Sequence, residues 1–156
     1  MAAAGSGVRS RRAYMLGVEV EVLEFSEGVE TVEKASRASG APPSAIVKTL
    51  LVKAGGGYAI VLARGDRRVD LEALSRALGV EVSMAKAREV REVLGVEPGA
   101  VTPLSEAAAR LRVIADPAIL EHEYVLAGGG TANSLIKVKT ADLVKALKPQ
   151  FLDSFR

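Results

Sequence analysis

Cysteine is absent from this chain, and His122 is its only histidine. Without cysteine there can be no disulfide, no thiol nucleophile and no thiolate metal site. A single histidine leaves a zinc centre or a histidine-based triad short of parts. No apolar run approaches the roughly 20 residues that cross a membrane, and the first residues lack the apolar core of a secretion signal. A cytoplasmic protein without membrane contact, metal or cofactor is therefore expected. Asn133 is the only asparagine and Gln150 the only glutamine. That scarcity of thermolabile residues fits a hot-living source, and a high-GC codon bias equally. Charge of one sign is also lacking: 21 basic against 19 acidic residues leave a net +2, which permits an anionic partner without demanding one.

What is present is enough apolar material for one sizeable core, with 49% of 156 residues hydrophobic and no room for two ordinary domains. The centre of the pattern is residues 45–53, a run too apolar on both faces for a sheet surface and so expected to be a central strand. Side chains alternate along a strand, so Ile46, Lys48, Leu50 and Val52 share a face. An ammonium on that face must snorkel to the edge, pair with a carboxylate, or line a cleft where a ligand completes its bonds.

Along the chain, residues 1–14 are small, polar and basic, with Arg9, Arg11 and Arg12 clustered. They are expected to form a disordered tail, with Met15 as an alternative start and residues 15–156 as the domain; an arm touching nucleic acid is the functional alternative. Val18, Val20, Val22 and Phe25 alternate as a strand, and Thr31 caps a short helix closed by Gly40. Three glycines, 55–57, between two apolar runs predict an antiparallel hairpin. Asp70 caps a helix to Leu78; 80–84 is a short strand and 86–94 a helix whose outer face carries Lys86, Arg88 and Arg91. Pro98, Gly99 and Pro103 stand too close together for helix or strand, so 95–103 is a shaped loop whose glycine admits a close neighbour. Residues 110–115 predict a strand and Asp116-Pro117 a one-turn helix. His122, between Glu121 and Glu123, is expected at the surface without catalytic duty. A strand at 123–127 leads to Gly128-Gly129-Gly130, which suits either a loose hairpin loop or a nest of N–H groups for an oxygen. A strand at 135–138 and a helix at 140–147 follow. The whole predicts one α+β (α/β) domain, a mixed, mostly antiparallel sheet with helices around it.

Three separated features together resemble the YbaK family of aminoacyl-tRNA deacylases, relatives of the editing insertion domain of bacterial prolyl-tRNA synthetases. They are the lysine in Val47-Lys48-Thr49-Leu50-Leu51, the Gly99-x-x-x-Pro103 loop, and Gly129-Gly130 before a strand. Gly65-Asp66-Arg67-Arg68-Val69-Asp70 entering a helix is also similar to the family's sequence there. The resemblance covers residues 18–147. It implies a YbaK-like fold and a hydrolase that removes a wrong amino acid from the 3′ end of a tRNA, most often that for proline. It also implies roles for Lys48 and Gly99 in activity and no side-chain nucleophile, with aminoacyl-tRNA and possible association with prolyl-tRNA synthetase as partners.

Positioning of an already activated ester, a placed water and N–H donors for the oxyanion would suffice for that reaction. Lys48 and Gly99 are the catalytic candidates. Ala100, Val101, Thr102, Pro103, Gly129, Gly130, Asn133 and Leu135 join them as substrate-binding candidates. Where members resembling the cysteine-specific branch carry an acidic residue after the glycine pair, this chain has Leu135. Where the insertion domains carry a histidine, it has Leu135, Ile136 and Lys137. The amino acid removed, Cys or Ala or another, stays open on the sequence, and a non-catalytic tRNA- or synthetase-binding module is the rival reading.

Overall fold

The computed structural model describes residues 8–156 and distributes the strands over two sheets. In the first, β1 (Val8–Met15) and β2 (Val18–Phe25) form a hairpin, and β2 continues through β8 (Ser134–Lys139) to β7 (Tyr124–Gly128), antiparallel throughout. Leu16 and Gly17 both take positive φ at the first hairpin, the conformation that a two-residue turn between twisted strands requires. The alternation read in Val18, Val20 and Val22 puts these three on the inner face, each buried.

Residues 8–14 depart from the expected disordered tail. They are the edge strand β1, pinned by Val8, Ala13 and Met15, which pack on the core at intervals along an otherwise polar segment. Composition averages those three anchors away. Arg11 and Arg12 face Glu24 and Glu19 at 3.7 and 2.9 Å as exposed pairs. Residues 1–7, the rest of that expected tail, lie outside the described residues.

The second sheet runs β5 (Val82–Met84), β3 (Val47–Ala54), β4 (Gly57–Arg64), β6 (Arg112–Ala115) and β9 (Gln150–Phe151). The β3–β4 hairpin is antiparallel as the glycines predicted, while β4–β6 and β6–β9 are parallel. So the fold is the expected α+β class, mixed and mostly antiparallel, with its strands in two layers instead of one. Between the layers lies the main core, where Ile60 and Ile136 are 0% exposed. Each side chain so buried is worth about 1.5–3 kcal/mol relative to exposure.

Helices close the outer faces. α1 (Val32–Ser39) packs Ala35 against Phe25, Leu126 and Leu135 on the first sheet; α2 (Leu71–Leu78) sets Leu74 over Val52, Val61 and Ile114 on the second. Their ends are where the caps predicted: the Thr31 and Asp70 side chains accept from Lys34 N and Ala73 N, and Gly40 and Gly79 are left-handed. α3 (Ala87–Leu94) and α5 (Thr140–Leu147) flank the interlayer core, Val90, Leu94, Leu143 and Leu147 facing in. The basic outer face of α3 is partly neutralised by Arg88–Glu92 and Arg91–Glu97 pairs. α4 (Glu106–Ala109), one turn capped by Ser105, is too short for periodicity to reveal. His122 is half-buried and bonded through Nε2 to Ser44 Oγ at 3.0 Å, so it ties two turns together instead of standing free at the surface.

One detail of the second sheet creates the site. β5 has three residues and pairs β3 only at Val52, Lys53 and Ala54. Among the described residues, the first half of β3 therefore has no strand paired to it on that flank. Ile46, just before it, makes a lone parallel bridge to Leu126 of β7, and there the two sheets part.

Candidate functional site

At this parting lies a cavity of about 420 Å³. Its floor is the open half of β3, with Val47, Lys48, Thr49 and Leu50. The facing wall is the open end of the β7–β8 hairpin, with Ala127, Gly128, Ser134 and Leu135, and the sides are the β2–α1 connection from Val29 to Val32 and the loop at Pro98, Gly99 and Val101. Leu135, Val29 and Ile46 make much of this lining apolar, each under a tenth exposed.

Lys48 is half-buried, on the face it shares with Leu50 and Val52, and its amine donates to Arg67 O at 2.8 Å. Burial first, then the Arg68 guanidinium, lowers its pKa from the ordinary lysine value, with Asp66 acting the other way. The carbonyl that holds it is itself fixed. Arg67 donates to Phe155 O at 2.9 Å and approaches Asp116, which is 0% exposed, at 3.3 Å. Arg68 and Arg156 exchange backbone bonds of 2.6 and 2.8 Å, so the C-terminal segment clamps the loop under the lysine. Asp116, expected only as a cap, does accept from Ala118 N but also anchors this clamp. Thr49 adds a different feature: its Oγ1 is buried and has no hydrogen-bond partner among the described residues. A buried orphan hydroxyl costs free energy unless something else completes it.

Gly99 sits in a 3-10 turn, Pro98–Ala100. Pro98 has no N–H and Ala100 N closes the turn on Glu97 O at 2.9 Å, so the Gly99 N–H is the one the turn does not spend. A Cβ on Gly99 would lie 2.9 Å from the Cβ of Glu30. A Cβ on Gly128 would fall on the carbonyl oxygen of Val101, so the two glycine-bearing bends are pressed together at this point.

Of the residues nominated from the sequence, Lys48, Gly99, Val101 and Leu135 line the cavity. Ala100, Thr102, Pro103, Gly129, Gly130 and Asn133 lie outside its lining. The Thr102 hydroxyl accepts from Leu104 N at 3.4 Å. Gly129 N donates to Ser134 O at 3.0 Å, and Asn133 donates to Phe25 O at 2.8 Å while its own carbonyl takes Phe25 N. These groups hold the second bend to the end of β2. Glu30, Thr49 and Ser134 also line the cavity and were not nominated from the sequence, and Gly128 entered only as part of the glycine run. Thr49 sat beside the nominated lysine, but nothing local marks its hydroxyl as unpartnered, and nothing in the sequence brings Glu30 to Gly99.

The arrangement defines a class first: a small α+β domain with a partly apolar hollow at a sheet seam, furnished with one amine, one carboxylate and spare hydroxyl and N–H groups. The Ser44–His122 pair stands apart from it. The family model described as aminoacyl-tRNA editing domain matches residues 26–146, and the chain belongs to that family. Proline–tRNA ligases are among its relatives. That of Bacillus licheniformis is 37% identical over 93 residues, 56% of this chain and 16% of the ligase; that of Bacillus pumilus is 28% identical over 136 residues, 82% and 24%. The chain thus spans less than a quarter of these ligases. A crystal structure described as a proposed trans-editing enzyme for prolyl tRNA synthetase superposes with a TM-score of 0.79 at 30% identity, covering 86% of this chain and 85% of that one. Another, of a hypothetical protein, gives 0.75 at 27% identity over 99% and 95%.

Proposed function

We propose that this chain is a free-standing deacylase that hydrolyses the ester of mischarged aminoacyl-tRNA, with alanyl- or cysteinyl-tRNA for proline as its substrates, working in trans beside prolyl-tRNA synthetase in the cytoplasm. The observation that carries this reading is that Lys48, the Gly99 turn and the Leu135 wall line one hollow. No side-chain nucleophile is required, because an aminoacyl ester is already activated and gains most from orientation and oxyanion stabilisation. Lys48, held by Arg67 O, keeps donors to spare for a phosphate or hydroxyl of the terminal adenosine. The unspent Gly99 N–H is the nominated oxyanion donor. A water, oriented by the substrate's free ribose hydroxyl, attacks the carbonyl carbon; the tetrahedral intermediate then expels the tRNA hydroxyl and leaves the free amino acid.

Selection rests on volume. A synthetase pocket built for proline gains only about 1–3 kcal/mol per methylene against smaller amino acids, so a second hollow that admits these and rejects proline removes the errors. Leu135 and Val29 supply apolar wall for such a sieve.

The test is release of amino acid from alanyl-, cysteinyl- and prolyl-tRNA for proline. Release from one of the first two, little from the third, and a loss of about tenfold or more in Lys48→Ala are expected. Binding of charged tRNA with no rate above the blank would make the chain a binding module and end the deacylase reading.

A further inference from the structure

Among the described residues that line the cavity, Glu30 is the only carboxylate. Its position is determined from both sides. Val29, the residue before it, is buried and donates its N–H to Ala132 O at 2.8 Å, and Thr31, the residue after it, caps α1. The stem of Glu30 lies against the Gly99 turn, where a Cβ would come within 2.9 Å of its own Cβ. That contact is near the backbone and cannot be relieved by swinging a side-chain end. Gly28 leaves room for the head, since a Cβ there would fall on the Glu30 carboxylate.

Among the described residues the carboxylate has one cationic partner, Lys34 at 3.5 Å, one turn along α1 and itself half exposed. Pairs of this kind contribute little and exchange readily. A bond from its own backbone N–H, and then Lys34, hold Glu30 below the usual carboxylate range, so it is charged at neutral pH. The hollow therefore carries a fixed cation on its floor, Lys48, and a fixed anion at its side.

We infer that Glu30 is the receptor for the free α-ammonium group of the esterified amino acid, and that the hollow thereby tells an aminoacyl ester from an N-acylated one. The inference rests on the deacylase reading and deepens it. An ammonium entering a hollow that already holds a lysine meets like charge unless a carboxylate compensates. Glu30 supplies that compensation, and it exchanges Lys34 for the ligand. An N-acylated amino acid, as at the end of a growing peptide, has no charge to offer and brings acyl bulk toward the Gly99 turn. The consequence is a device that spares peptidyl esters while clearing aminoacyl ones.

The experiment compares alanyl-tRNA with N-acetyl-alanyl-tRNA in the wild type, Glu30→Gln and Lys34→Met. The wild type should favour the free amine by about tenfold in kcat/KM, the worth of a hydrogen bond to a charged group. Glu30→Gln should lose that preference by slowing on alanyl-tRNA while its rate on the acetylated substrate stays within about twofold. Lys34→Met should keep or raise it. Equal wild-type rates on both substrates, an undiminished preference in Glu30→Gln, or equal losses in Glu30→Gln and Lys34→Met would each overturn the assignment. The last would leave Glu30 as a partner of the helix only. Hydrolysis of neither substrate by the wild type would instead bring down the deacylase reading, and this inference with it.

Discussion

Two glycine-bearing bends meet beside the cavity, and they use their glycines differently. In the bend at 97–103 a single glycine, Gly99, clears space for the stem of a charged side chain and is part of the lining of the hollow. In the bend at 128–133 a run of three glycines lets the chain be overlain by the first bend, whose Val101 carbonyl takes the place a Gly128 Cβ would occupy. The polar groups of the second bend turn inward: Gly129 to Ser134, Thr131 to Ser134, Asn133 to Phe25. Both bends reach the hollow, through Gly99 and through Gly128, but Gly129 and Gly130 of the richer run lie outside its lining and serve as support. A glycine count therefore says that something comes close, and the identity of that neighbour separates packing from chemistry.

The largest effect that would break this comparison is at Gly128. Gly128→Ala drives a methyl into a carbonyl oxygen of the neighbouring backbone and should lower stability by about 3 kcal/mol, read as a shifted urea midpoint at unchanged slope. A loss under about 0.5 kcal/mol, typical of neutral surface changes, would mean the bends are not pressed together. Gly99→Ala should be milder in stability, about 1 kcal/mol, because its methyl would meet the Glu30 stem at 2.9 Å, a smaller overlap than the one at Gly128. Its deacylation rate should fall further than that loss of folded protein explains.

Thr49→Val sharpens the contrast between packing and site from the other direction. The Thr49 hydroxyl is buried without a partner among the described residues. Replacing it with a methyl of the same shape should leave stability unchanged or raise it by about 1 kcal/mol, while activity falls. A destabilised, fully active Thr49→Val would show that the hydroxyl belongs to the fold.

The smallest effect concerns the amine. Burial and Arg68 depress the Lys48 pKa in the folded chain, so the folded state binds its proton less firmly than the unfolded chain does. The charged lysine thus carries a cost that is full below its lowered pKa and fades as pH rises toward the ordinary value of 10.5. Measured against Lys48→Met in parallel melts, the wild type should gain relative stability across that interval. A constant difference would mean the amine is not desolvated.

Much of the fold was legible because its signals are local. The alternation of 18–25 yielded β2 with its bounds, Thr31 and Gly40 bracketed α1, Asp70 opened α2, and the glycines at 55–57 marked the β3–β4 hairpin. The edge strand β1 was hidden because its apolar anchors are too sparse to offset Arg9, Arg11 and Arg12. β9 was hidden because two residues in a parallel pair with β6 have no period to read. Of the residues that line the hollow, Lys48 was nominated because an ammonium on an apolar strand face stands out and the Gly99 and Gly129-Gly130 motifs accompany it. Glu30 was missed because a carboxylate just ahead of a helix cap is ordinary, and only the fold sets it against Gly99.

By itself the sequence determined the elements, their caps and the strand that bears the lysine, since periods of 2 and 3.6 and capping chemistry act over a few neighbouring residues. Only the tertiary structure decided that the strands form two sheets, that a short β5 leaves half of β3 open, and which glycines line the hollow. Those outcomes depend on pairings and close approaches between segments far apart in the chain, where no local pattern records the neighbour.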